Sequence, residues 1–142
     1  SHNALKGVLM DHKDELELIR KRAFQNLKAS KLVFDKEYFD LAVFLAEQAL
    51  QLYLKSIILE ETGEMPRTHS IRQLIGIIRA IKVNISKDID NFVRKNREKL
   101  SLLEDAYIAS RYLKRIYSRD EAEEMIEFVE EAISFWKSIL RQ

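Results

Sequence analysis

The sequence predicts an all-α fold, an up-and-down bundle of about five helices, and three observations carry that prediction. Glycine and proline, which punctuate hairpins and the turns of doubly wound sheets, number 3 and 1 in 142 residues, where average usage would give about 10 and 7. Apolar residues recur at spacings of three and four along most of the chain, the period of a helix with a buried face. Two Ser-x-x-Gln/Glu patterns, at Ser70 and Ser118, stand where such stripes begin, as N-capping boxes do. With 46% apolar and 33% charged residues, the chain can fill one core and is not compositionally disordered.

The first helix spans about Asp11 to Asp35, with Ile19, Ala23, Leu27 and Phe34 on one stripe and Arg20, Lys21, Lys28 and Lys31 between them. Lys36 and Glu37 break it. The second, Tyr38 to Glu61, is apolar around so much of its circumference that it must be covered on several sides, as the central helix, a dimer contact or both. Gly63 is expected as its C-cap, and Pro66 follows in a loop from Thr62 to His69. In the third helix, Ser70 to about Ile81, the Ser70 hydroxyl takes the N–H three residues on and Gln73 reaches back. Gly76, which costs about 1 kcal/mol inside a helix, is expected to mark a close helix approach.

Val83-Asn84-Ile85 connects to a fourth helix capped by Ser86, whose stripe Ile89, Phe92/Val93, Asn96, Leu100, Leu103 and Tyr107 runs to about Arg111 or Tyr112. Asn96 is the one polar member of that stripe. Ser118 and Glu121 open the fifth helix, which carries Ala122, Met125, Ile126, Val129, Ala132, Trp136 and Leu140. No linker divides the chain. Residues 11–142 are expected to form a single domain, with residues 1–10 an N-terminal extension in which Ser1-His2 resembles a tag remnant and Met10 an initiator.

The absence of cysteine removes disulfides, thiolate nucleophiles and sulfur-ligated zinc, and suits a reducing compartment, so a cytoplasmic location is expected. The most apolar stretch, Leu41 to Leu59, is interrupted by Glu47, Gln48, Gln51 and Lys55, which argues against a membrane helix. Burial of Glu47 and Gln48 would demand hydrogen-bond partners, and Gln48 is expected to tie helices together. The net charge of +1 hides a basic middle: residues 67–119 carry 13 Lys/Arg against 5 Asp/Glu, whereas residues 120–142 carry 2 against 7. That middle is either a cationic face for RNA or nucleotide phosphates or the partner of the acidic last helix inside the bundle.

Several chemistries lack their residues. No His follows a Glu at the spacing of a di-iron bundle. The glycines are too scattered for a phosphate loop, and no Gly-x-Ser-x-Gly elbow is present. A helix-turn-helix around Ser70 to Asn84 has the basic content but not the glycine turn. Neither a metal nor a cofactor is expected.

Two blocks of sequence point further. Ala42-Val43-Phe44-Leu45-Ala46-Glu47-Gln48-Ala49, then Leu54-Lys55, Gly63, Pro66 and Thr68-His69-Ser70, resemble the core signature of the HEPN (higher eukaryotes and prokaryotes nucleotide-binding) superfamily. Asp105 to Tyr112 looks like its second hallmark, a Tyr followed by Arg-Tyr, with Leu113 where the family usually has Pro. The resemblance covers about Leu16 to Leu140. It implies a helical bundle that typically dimerises, with a site near the fourth helix. Members are metal-independent endoribonucleases, often toxins, or non-catalytic modules that bind nucleotides or partner a small nucleotidyltransferase.

The ribonuclease branch carries Arg, four to six residues, then His. After Arg111 those positions hold Ile116, Tyr117 and Ser118. Metal-free RNA cleavage needs a base for the 2′-hydroxyl and an acid for the leaving oxygen, which a histidine near pKa 6.5 supplies and a tyrosine near 10 does not. The resemblance therefore implies a nucleotide- or RNA-associated binding module, a homodimer and the partner of a minimal nucleotidyltransferase in a toxin–antitoxin-type pair. A divergent endoribonuclease and a purely structural dimerisation bundle are the alternatives.

Four residues are candidates for nucleotide or RNA binding: Arg111 as a phosphate fork, Tyr112 and Tyr117 as stacking or hydrogen-bonding groups, and His69 at the start of the third helix. Structural roles compete with each. Arg111 can pair with Glu104 or Asp105, the tyrosines can pack the loop, and the His69 ring can bond a loop carbonyl.

Overall fold

The computed structural model of the protein describes residues 11–112 and 116–141, and the side chains of these except 108–112. Among the described residues there are six α-helices and no strand: α1 His12–Asp35, α2 Phe39–Thr62, α3 Ile71–Ile81, α4 Ser86–Lys95, α5 Arg97–Tyr112 and α6 Arg119–Leu140, with a 3-10 turn at Val83–Ile85 before α4.

Local chemistry sets most of the boundaries. The Asp11 carboxylate accepts from the Asp14 amide and caps α1. At the other end Glu37 enters the left-handed region at φ 64° and reverses the chain within four residues, so α2 runs back along α1. Two contacts hold this hairpin, the Ser30 hydroxyl donating to the Ala42 carbonyl at 2.6 Å and Arg20 pairing with Glu60 at 3.1 Å. At Ser118 both halves of the capping box form. At Ser70 only the hydroxyl half forms, because Gln73 bonds the Thr68 hydroxyl instead of reaching back. Thr68 itself accepts from the Ser70 amide at 3.2 Å.

α2 is the central helix, as its wide apolar surface predicts, and it packs on α1, α3, α5 and α6. By length and hydropathy it is the one helix among the described residues able to cross a membrane, yet 67% of that window is buried inside the bundle, the position of a core helix. Ala42, Val43, Ala46, Leu50, Leu54 and Ile58 form its buried face, against Leu74 and Ile78 of α3, Leu100 and Leu103 of α5, and Phe128, Val129 and Trp136 of α6.

The structure corrects three expectations. The fourth predicted helix is two, α4 and α5, divided at Asn96, whose amide Nδ2 donates to the Phe92 carbonyl at 2.9 Å while its own N–H donates to the same oxygen at 3.0 Å. The side chain thus competes for a helix carbonyl and ends α4. Ser86 does not cap α4: the 3-10 turn runs directly into the helix, so Ser86 is already helical at φ −57°, ψ −35°. Gly76 marks no close approach, for a Cβ built on it meets nothing within 4 Å.

The charged segments also do not pair as a unit. Among the described residues the basic middle pairs Lys82 with Glu61, Arg79 with Asp90 and Arg119 with Glu37, while the acidic α6 pairs Glu130 with Lys31 of α1.

Two glycines give opposite expectations. Gly63 closes α2 in the left-handed region at φ 78°, with no atom near its missing Cβ. Gly63→Ala is therefore expected to cost about 1 kcal/mol from backbone strain alone. Gly76→Ala, in an exposed helical position, is expected to gain up to about 1 kcal/mol. Paired thermal melts check both signs.

Candidate functional site

The site is built from α2, the loop before α3, and α5. Glu47, Gln51 and Lys55 stand four residues apart on one stripe of α2, and all three are buried, Glu47 completely. A carboxylate sealed in an apolar helix is costly unless hydrogen-bonded. Here the Gln48 and Gln51 amides donate to Glu47 at 2.8 and 3.0 Å. Burial still outweighs these donors and the Lys55 charge, and pushes the Glu47 carboxyl up to about 7. Desolvation likewise lowers Lys55, opposed by the attraction of Glu47.

His69 is exposed, and its Nδ1 edge faces Gln51. With Nε2 of Gln51 spent on Glu47, the Gln51 Oε1 is left as an acceptor, and His69 Nδ1 at 3.1 Å is its donor. Lys55 Nζ lies 3.4 Å from the same ring nitrogen. This arrangement leaves the His69 Nε2 as the acceptor edge of a ring held from behind. The ring stacks on Tyr107 of α5, with centroids 5.6 Å apart and planes inclined by 24°. Together with Ser70 and Glu104 these two rings line an open depression of about 210 Å³.

Glu104 has a definite task. Its Oε1 accepts from the Arg72 amide at 2.7 Å and the Ser70 hydroxyl at 3.0 Å, so the positive N-terminus of α3 is already met by a protein carboxylate. Arg72 in turn donates to the Arg97 carbonyl and the Ser101 hydroxyl, joining α3 to α5. The anion at this helix end is thus intrinsic to the protein.

Of the four candidate residues, His69 is at the depression. Arg111 lies one turn beyond Tyr107 on α5 and Tyr112 follows it, but their side chains fall outside the described residues. Tyr117 is elsewhere. Its side chain is 5% exposed and belongs to the core, and its amide donates to Asp40 at the start of α2 at 2.8 Å. Asp40 precedes Gln51 by eleven residues, about 16 Å along the helix, so the structure does not bring Tyr117 to His69. The His69 ring is tied to a side-chain amide rather than a loop carbonyl, and Gln48 bonds its neighbour Glu47 rather than another helix.

The sequence reading passed over Gln51, Lys55 and Tyr107 as site residues. Their signal was available for the first two: polar residues at i, i+4 and i+8 in an otherwise apolar helix define one stripe that needs a polar partner. Tyr107 sits on a stripe of core residues, and nothing in its spacing separates a ring that packs inward from one that stacks on a loop histidine.

No curated protein and no solved structure matches the chain. The sequence profile of the HEPN domain family matches residues 16–139, a span that reaches from the second turn of α1 to the penultimate residue of α6 and holds all the residues around His69. The chain belongs to the HEPN domain family.

Proposed function

We propose that the protein is a nucleotide- or RNA-associated binding module whose ligand is met by His69, Tyr107 and Arg111, working as a homodimer and as the partner of a minimal nucleotidyltransferase in a toxin–antitoxin-type pair. The observation that carries the reading is the His69 ring, fixed through Gln51 to Glu47 and stacked on Tyr107 at an open depression. An aromatic and an imidazole face suit a base, and Arg111 one turn further along α5 suits a phosphate. Family membership supports a nucleotide- or RNA-associated role in general. Leu32, Tyr38 and Leu41, exposed near the α1–α2 turn, are apolar surface of the kind a second copy covers.

The experiment is binding of a labelled single-stranded RNA and of ATP, with salt varied. Arg111→Ala and His69→Ala are each expected to weaken binding about tenfold or more with the helical content unchanged. Binding of neither ligand by the wild type, and no association with a nucleotidyltransferase, would sink the reading.

A divergent endoribonuclease is the second reading, favoured by one observation. With Nδ1 held by Gln51, the His69 Nε2 edge has the geometry of a general base supplied from the α3 side rather than from after Arg111. RNA incubated in chelator, cleaved by the wild type and spared by His69→Ala, is the result that selects it.

A further inference from the structure

A cleft lies away from this site, where α1, α2 and the end of α6 diverge. It measures about 530 Å³, within the range of small-molecule pockets. Tyr53 and Ile57 of α2 form its floor. They project from the side of α2 opposite Gln51 and Lys55, since two residues along a helix is a turn of about 200°. Ile133 of α6 closes one wall, and Phe24 of α1, 64% exposed despite its size, stands on the rim with Lys28 over its ring at 5.7 Å.

The charges around this apolar floor are unbalanced. Arg20 and Glu60 satisfy each other at 3.1 Å. Lys137 and Arg141 have no ion-pair partner among the described residues, and both line the cleft. The Tyr53 phenol lines the same cleft. Burial raises its pKa, while the Arg20 and Arg141 charges act to lower it. A nucleobase would need several donors and acceptors along its edge, and the floor offers little beyond one phenol. An apolar chain ending in an anion matches both halves of the cleft.

We propose that this cleft binds a carboxylate carried on an apolar chain, an acyl anion of medium length, with its head between Lys137 and Arg141 and its chain against Phe24, Tyr53, Ile57 and Ile133. Two cations without ion-pair partners among the described residues supply the head-group site, and the aliphatic and aromatic floor supplies the burial. The site stands back to back with the His69 depression across α2 and shares none of its lining residues.

The test is titration of the ¹⁵N-labelled full chain with decanoate, decanol and decyltrimethylammonium below their micellar concentrations, following backbone amide shifts. Decanoate is expected to move the amides of Tyr53, Ile57 and Ile133 and to bind about tenfold or more tightly than decanol, with the ammonium weakest. The double variant Lys137→Glu/Arg141→Glu, at two exposed positions, is expected to lose the preference for decanoate while the rest of its spectrum is unchanged. Equal binding of all three probes, or shifts confined to other parts of the bundle, would overturn the proposal. So would cleft amides that shift on raising the protein concentration alone and then ignore decanoate, the signature of a second copy seated there.

Discussion

Glu47→Gln is expected to gain stability on the wild type as pH rises, by roughly 3 kcal/mol between pH 4.5 and 7. The unfolded carboxyl titrates near its ordinary value of 4.5, whereas burial holds the folded one at about 7. Between those values the folded chain keeps a proton that the unfolded chain has released. The unfolded state then binds fewer protons, so wild-type stability falls as pH rises through the window. Each unit of difference is worth about 1.4 kcal/mol, which sets the magnitude. Glutamine has nearly the same volume and does not titrate, so the slope belonging to this residue disappears.

Urea melts of both proteins across pH 4 to 8, read by far-UV circular dichroism, check this; parallel curves would refute it.

The second large effect is in the core. Trp136→Ala is expected to cost about 3–5 kcal/mol, because the side chain is fully buried and packs edge-on against Phe92 and Phe135, with centroids at 6.2 and 5.3 Å. These rings join α4 to α6 just before the Asn96 break, so their loss also loosens the helix pair. Trp136→Phe is expected to stay within about 1–2 kcal/mol of the wild type. Its indole Nε1–H has no hydrogen-bond partner among the described residues, and removing an unsatisfied buried donor offsets part of the lost volume. Chemical denaturation of the two variants separates these cases, and a small cost for the alanine variant would contradict the packing account.

Legibility from sequence differed by kind of feature. Helix ends that depend on a residue and its neighbours within one turn were readable: Asp11, Gly63 and the Ser118–Glu121 box act where their chemistry places them. Asn96 was visible as a polar member of an apolar stripe. Its bond to the Phe92 carbonyl, which cuts the helix there, was not, because a side chain on a helix can point to solvent or back to a carbonyl without changing the pattern. Gly76 misled for a related reason: a glycine inside a helix is compatible with a close neighbour or with open space.

The site divides along the same line. His69 and the segment holding Arg111 stood out by residue type and by resemblance. Gln51 and Lys55 reach His69 from 18 and 14 positions away in the chain, and Glu104 reaches Ser70 at its helix end from 34, and no spacing encodes such meetings. Tyr117 stood out as a candidate ring and Tyr107 did not, yet Tyr117 is buried beside the start of α2 and Tyr107 stacks on His69.

Composition, period and caps thus determined an all-helical chain and the positions of most helix ends, because each depends on interactions within a few residues, while two separated motif blocks carried the resemblance to its family. Tertiary packing alone decided that a carboxylate would be sealed behind His69 and titrate near neutrality, that Glu104 would meet the α3 terminus, and that an apolar cleft rimmed by Lys137 and Arg141 would open across α2. These depend on which faces of separate helices meet, and desolvation and Coulomb energies exist only once they have met.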